Sequence, residues 1–156
     1  MLALPGTVAF HIATRADCLG DDVLRVLLDV SAQIDLTVEL GLQTVHDTTA
    51  ALINRGHDFA SFLDGYRRLR EAVPRARISV HLIDGLPGED REMMVESARS
   101  LAALAPDEVK LHLLHVIDGT RLAEMYRLGE YSPLSLEEYV SILVSQLELL
   151  SPRTVT

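Results

Sequence analysis

Apolar residues recur with two different periods along this chain, and the alternation between them predicts its elements. Four short apolar runs, at residues 8–13, 36–42, 77–83 and 109–116, have the length and side-chain type of strands. Each is followed by a turn signal and then by a stretch with helical spacing. The helices are predicted at 21–30, at 48–54 with 59–72, at 89–104 and at 136–150. Asp21 and Asp47 are read as N-caps, and Ser135 stands three residues before Glu138 in capping-box spacing. Pro74, Pro106 and Pro152 fall after helices, where a missing N–H costs nothing. Strand and helix alternating at these spacings imply an α/β fold with a parallel sheet and right-handed crossovers. No linker or further repeat interrupts the rhythm, so residues 1–156 are read as one domain.

Polar residues interrupt three of the strands at alternate positions, which a strand buried on both faces does not tolerate without a reason. In TVELGLQT, Thr37, Glu39, Gly41 and Gln43 share one face while Val38, Leu40 and Leu42 share the other. Ser79 and His81 pair in the same way in SVHLIDG, and Lys110 with His112 in KLHLLHV. Turned inward, these faces line a barrel with a carboxylate, an amide, imidazoles and an ammonium, which suits a polar ligand. The alternative is a self-satisfied network in which Glu39 pairs with Lys110 or a histidine and no ligand is involved.

Ligands of parallel α/β folds sit at the carboxyl ends of the strands. There the turn HLIDGLPGED, with Gly85 directly after the strand, offers backbone amides to a ligand or is simply a tight connection. The stretch INRGHD places Arg55 and His57 beyond a short helix, with Gly56 read as its C-cap. Cys18 follows the first strand; a lone cysteine is more often packing than nucleophile.

Charge and cysteine count narrow the function. Fourteen Lys and Arg against 23 Asp and Glu give a net charge of -9, which leaves no basic stripe for nucleic acid. The apolar runs are shorter than the ~20 residues of a membrane helix, and the start MLALPG has no charged leader, so a cytoplasmic protein is expected. The single cysteine forms no internal disulfide and supplies one of the several thiolates that an iron-sulfur cluster takes.

The segments IATRADCL, VELGLQTVHDTTAALINRGHDF, HLIDGLPGEDREMM, KLHLLHVIDGTRLAEMY and SPLSLEEYV together resemble the YhcC/YtqA-like group of radical S-adenosylmethionine (SAM) iron-sulfur oxidoreductases, related to the Elongator catalytic subunit. The resemblance covers nearly the whole chain and implies a partial TIM-like barrel, units three to six of a (βα)6 barrel. It also implies SAM and a [4Fe-4S] cluster as family cofactors, with reductive cleavage of SAM to a 5'-deoxyadenosyl radical as the parent reaction. The family's Cys-x-x-x-Cys-x-x-Cys motif needs three cysteines and this chain has one. The expectation is therefore a SAM-positioning half that is inactive alone, joined to a missing N-terminal barrel segment or to a second copy through its open sheet edge. Met1, just before the first strand seen here, suits a shortened start.

By the motifs of the related oxygen-independent coproporphyrinogen oxidases, Gln43 and Arg55 contact SAM. The carboxylate that those enzymes place before Leu-Ile-x-Gly-Leu-Pro is His81 here, and their third-strand Glu falls at Ala13. Glu39 stands in for the lost carboxylates, and His81, Gly85 and His112 complete the expected cofactor-binding set. Two other functions compete. One is a non-catalytic nucleotide-binding or oligomerisation module. The other is a metal-dependent hydrolase or isomerase barrel with His11, His81, His112 and Glu39 as ligands, which the absence of a close His-x-His pair disfavours.

Overall fold

In the computed structural model, which describes residues 6–156, the chain folds as one parallel sheet with helices packed on one side. The strands β1 (Ala9–Thr14), β2 (Asp35–Gln43), β3 (Arg77–Asp84) and β4 (Glu108–Leu113) lie in the order β1-β2-β3-β4. This sequential parallel order is an arc of a barrel, as the βα rhythm predicts. Residues 1–5 of the MLALPG start lie outside the described residues. Among the described residues no helix is long and apolar enough to cross a membrane.

Among the described residues six α-helices connect or follow the strands: α1 (Asp21–Ser31), α2 (Asp47–Leu52), α3 (Phe59–Ala72), α4 (Arg91–Ala102), α5 (Arg121–Arg127) and α6 (Leu136–Leu147). The buried residues of α3, Phe62, Gly65, Tyr66 and Leu69, follow the i, i+3, i+4, i+7 stripe of an amphipathic helix. Those of α4, Met94, Val95, Ser97, Ala98 and Leu101, do likewise. Both starts are capped by an aspartate: Asp58 accepts from Ser61 N at 2.8 Å and Asp90 from Met93 N at 3.0 Å. At Ser135 the predicted capping box is formed in full.

Three local expectations are corrected. Asp21 and Asp47 are the first residues inside their helices, and the N-caps are Gly20 and His46. Asp21 still faces the positive end of its helix, whereas Asp47 is drawn away to accept from Phe59 N at 2.8 Å and so ties α2 to α3. Gly56 does not cap α2, whose C-cap is Ile53 with Asn54 left-handed behind it (φ 53°).

The core lies between sheet and helices. Leu36, Val38, Leu40, Leu42, Ile78, Val80, Leu82 and Val109 alternate along three strands and are at most 2% exposed, packed with Leu24 and Leu27 of α1, with α3, and with Ala98 and Leu101 of α4. Gly65 is where α3 comes closest to its neighbour. A Cβ there would stand 2.3 Å from the Ala16 carbonyl oxygen, in the 3₁₀ turn after β1, so only glycine permits the contact. β1 is the sheet's edge and stays largely exposed, with Phe10 at 42%. At the far side, Val155 makes an isolated parallel bridge with Glu108 beside β4.

Candidate functional site

Strand register carries the polar residues of β2, β3 and β4 onto one face. Gly41 is level with His81, His81 with Lys110, and Glu39 with Ser79. Glu39, half-buried in the middle, is the hub. Its Oε1 accepts from Lys110 Nζ at 2.7 Å and lies 3.5 Å from His11 Nδ1 of β1; its Oε2 lies 3.1 Å from His81 Nε2. The Lys110 ammonium holds the Glu39 carboxyl below its ordinary value, outweighing the opposing effect of burial. Burial and the neighbouring His112 push the His81 imidazole down. His112 Nε2 is 3.3 Å from His81 Nδ1, with ring centroids 5.1 Å apart. The self-satisfied pairing expected of Glu39 is thus present. Among the described residues no group of three or more His, Cys, Asp or Glu is disposed to hold a metal ion.

Above this hub, at the carboxyl end of β2, the chain departs from regular strand geometry. The register shifts between Gly41 and Gln43, and Gln43 takes a left-handed conformation (φ 74°), which is uncommon outside glycine. Arg55 folds back from the end of α2 and donates to the Gly41 carbonyl. A Cβ on Gly41 would stand 2.8 Å from Gln43 Nε2 and 2.9 Å from an Arg55 terminal nitrogen, so the glycine makes room for both. Gln43 Oε1 and Arg55 Nε are buried without a protein partner. A buried, unpaired acceptor and donor side by side are costly unless a ligand completes them. Burial and the nearby Arg15 charge push the Arg55 pKa down from its ordinary value. Arg15 is itself paired with Asp17 in the 3₁₀ turn after β1.

The loops here are tied together. Thr44 donates to Glu89, His46 Nε2 reaches the Met93 carbonyl at 2.9 Å, and Val45 N donates to Ser97 Oγ at 3.3 Å. The turn after β2 is thereby fixed to the start of α4. Beside it opens an apolar cavity of about 370 Å³, lined by Ile53, Ile83, Leu86, Pro87, Leu114 and Met125 among others.

Of the residues singled out in the sequence, Glu39, His81 and His112 meet in one network, and Gln43 with Arg55 in another next to it. Gly85 is placed differently. It is left-handed (φ 85°), its amide points at Met94 Sδ at 3.1 Å and its carbonyl accepts from Tyr131 Oη at 2.8 Å, so both its backbone groups are engaged in packing. Cys18 is exposed at the end of the 3₁₀ turn. Sequence reasoning missed two participants. Arg15 is visible only through its contact with Gly56, and Asp84 sits on the helix-covered face, where Gln146 of α6 donates to it at 2.7 Å. The spacing of 62 residues between them leaves no local signal.

Comparison with known proteins bears on the family and the fold. The profile of the Radical SAM superfamily matches residues 4–101, and that of the Radical_SAM C-terminal domain matches residues 106–156. The chain is 44% identical over 155 residues to the uncharacterized protein YtqA of Bacillus subtilis, covering 99% of this chain and 48% of that protein. It is 37% identical over 135 residues to YhcC of Escherichia coli, covering 85% of this chain and 42% of that protein. The structure of the archaeal Elp3 of Methanocaldococcus infernus superposes with a TM-score of 0.84 at 28% identity, over 96% of this chain and 34% of the other. The chain thus spans about half the length of the curated relatives it matches.

Proposed function

The chain belongs to the radical SAM superfamily, and on that premise we propose that it forms the SAM-positioning half of a radical SAM iron-sulfur oxidoreductase. The observation that carries this is the unpartnered pair at the end of β2, the acceptor Gln43 Oε1 and the donor Arg55 Nε. Their donor and acceptor character fits the aminoacyl and ribose groups of SAM, and the apolar cavity beside Asn54 fits its adenine ring. Glu39, His81 and His112 line the same face below them and complete the polar wall. Gly85 contributes the shape of the turn rather than an amide to the ligand.

The donor set does not fit a [4Fe-4S] cluster. Three thiolates are needed to hold it with one iron left for SAM, and these residues offer Cys18 alone. No step through a cluster is assigned to these residues. We infer that the chain is inactive by itself and that its open β1 edge receives the strands that carry the missing ligands.

Anaerobic reconstitution of the chain with iron and sulfide, followed by titration of SAM in a calorimeter, tests this. No cluster absorbance is expected, together with weak SAM binding that Gln43→Leu and Arg55→Met each reduce about tenfold, the loss of one buried hydrogen-bonding partner. Cluster formation would overturn the inactive-half reading. SAM binding unaffected by either substitution would overturn the assignment of the site.

A further inference from the structure

The hydrogen bonds around Glu39 fix where each imidazole proton sits. An ionised carboxylate can only accept, so the His81 nitrogen facing it, Nε2 at 3.1 Å, carries a hydrogen. Two features keep this assignment in force near neutral pH. Lys110 at 2.7 Å keeps Glu39 ionised, and burial favours the neutral form of His81. A neutral His81 with its hydrogen on Nε2 has a bare lone pair on Nδ1. The group 3.3 Å from that lone pair is His112 Nε2, which must therefore donate. In the neutral form of His112 the second nitrogen, Nδ1, is then left as a lone pair on an exposed residue of the same polar face.

We propose that Glu39, His81 and His112 form an imidazole relay that presents His112 Nδ1 as the proton acceptor for an N–H or O–H group of a substrate on the polar face of the sheet. The step balances as follows. The substrate X–H bond breaks and its proton joins His112 Nδ1. The hydrogen on His112 Nε2 stays hydrogen-bonded to His81 Nδ1. The result is X⁻ and a His112 imidazolium held by a His81 that burial keeps neutral and Glu39 keeps oriented. Glu39 itself stays ionised, because the Lys110 ammonium opposes its protonation, and so acts as the orienting and charge-stabilising group rather than as the final base. The remaining polar neighbours are consistent with that arrangement. His11 from β1 approaches the same Glu39 oxygen as Lys110, at 3.5 Å, while Glu108 lies 3.9 Å from Lys110 and 4.0 Å from Arg77, at the far end of the network.

The relay depends on the barrel reading only for what meets His112; its tautomers exist without SAM or a cluster. They are read by long-range ¹H–¹⁵N spectra of the histidine-labelled chain. In the unmodified protein both His81 and His112 are expected with hydrogen on Nε2. Glu39→Gln sharpens the test, because Lys110 claims the new amide oxygen and turns the amide NH₂ towards His81. Both imidazoles are then expected to invert, with hydrogen on Nδ1. His81→Leu, which keeps the carboxylate but cuts the chain of hydrogen bonds, is expected to leave His112 as a mixture, and strand amide shifts confirm that each variant is folded. Acylation by diethyl pyrocarbonate, mapped by mass spectrometry, is expected to be about fivefold faster at His112 than at the exposed His115, the advantage vanishing in both variants. A hydrogen on His81 Nδ1 in the unmodified chain, or a His112 tautomer and reactivity indifferent to Glu39→Gln, would overturn the relay. Failure of SAM binding leaves both readouts untouched.

Discussion

The two faces of the sheet are made from the same strands and follow opposite rules. On the helix-covered face Leu36, Val38, Leu40 and Leu42 alternate with near-zero exposure and pack into one apolar cluster. On the opposite face, one residue out of register, Thr37, Glu39, Gly41 and Gln43 are half-buried or buried and meet charges, hydroxyls and each other. The first face gains free energy with each Å² removed from water, at roughly 25 cal/mol. The second exchanges hydration for hydrogen bonds and ion pairs and gains little net stability. Stability and chemistry are thus separated across about one strand thickness, and the separation can be tested by substitution on either side.

Leu40→Ala should have the largest effect. Leu40 is fully buried, and the cavity left between β2 and α3 would lower stability by about 2–5 kcal/mol. Chemical denaturation measures it. A loss under about 1 kcal/mol would mean that the helical layer is loosely packed and that the contrast between the faces is weaker than the structure shows.

Asp84 breaks the rule of the covered face, and its removal comes next. It is 1% exposed among apolar neighbours, and burial raises its pKa to about 6. A folded-state pKa above the unfolded value means that the native protein binds more protons between about pH 4 and 6. The stability linked to this group is therefore full below that window and is lost as pH rises through it, by about 3 kcal/mol in total. Asp84 Oδ2 and Gln146 Oε1 both lack a partner. Asp84→Asn supplies a neutral amide that can pair with Gln146 through both atoms. The variant is expected to be about 2 kcal/mol more stable at pH 7 and to have a flatter stability profile between pH 4 and 6. Equal or lower stability at pH 7 would show that the charge is better solvated by the α6 interface than its burial implies.

These contrasts also explain what could be read in the sequence. The strands and their faces were legible because period-two alternation is a property of neighbouring residues. The bounds of α3 coincide with those expected, 59–72, because its stripe is long and ends in a loop. β4 stops at Leu113, short of the expected 116, and Leu114 N gives the last ladder bond, to the Asp84 carbonyl. α4 begins at Arg91 rather than 89, because Asp90 is spent on capping, and α6 ends at Leu147 rather than 150. α5 was not predicted: seven residues after the Thr120 cap hold too few turns to show a period. Within the site, Glu39, His81 and Gln43 announced themselves as polar positions at strand ends or inside strands, whereas Arg55, beyond a short helix, was picked out through the family resemblance. The Asp84–Gln146 pair and the approach of Arg15 to Gly56 are products of tertiary packing alone.

The smallest effect is expected at the edge of the polar face, and it isolates how far the hub depends on its surroundings. His11 belongs to the same network as Lys110 and reaches the same Glu39 oxygen, yet it differs in two physical respects. Its distance is 3.5 Å instead of 2.7 Å, and its side chain is 59% exposed instead of 35%. Each of these weakens the contact, since water competes for an exposed hydrogen bond and a mobile side chain gives up conformational entropy to hold it. His11→Ala should therefore change stability by less than about 0.5 kcal/mol in chemical denaturation, at or below the low end of a single hydrogen bond. A loss above about 1 kcal/mol would mean that β1 is held through Glu39 rather than through the ladder with β2. The edge strand would then owe its place to the polar face, and the division of labour between the two faces would fail where the sheet is most open.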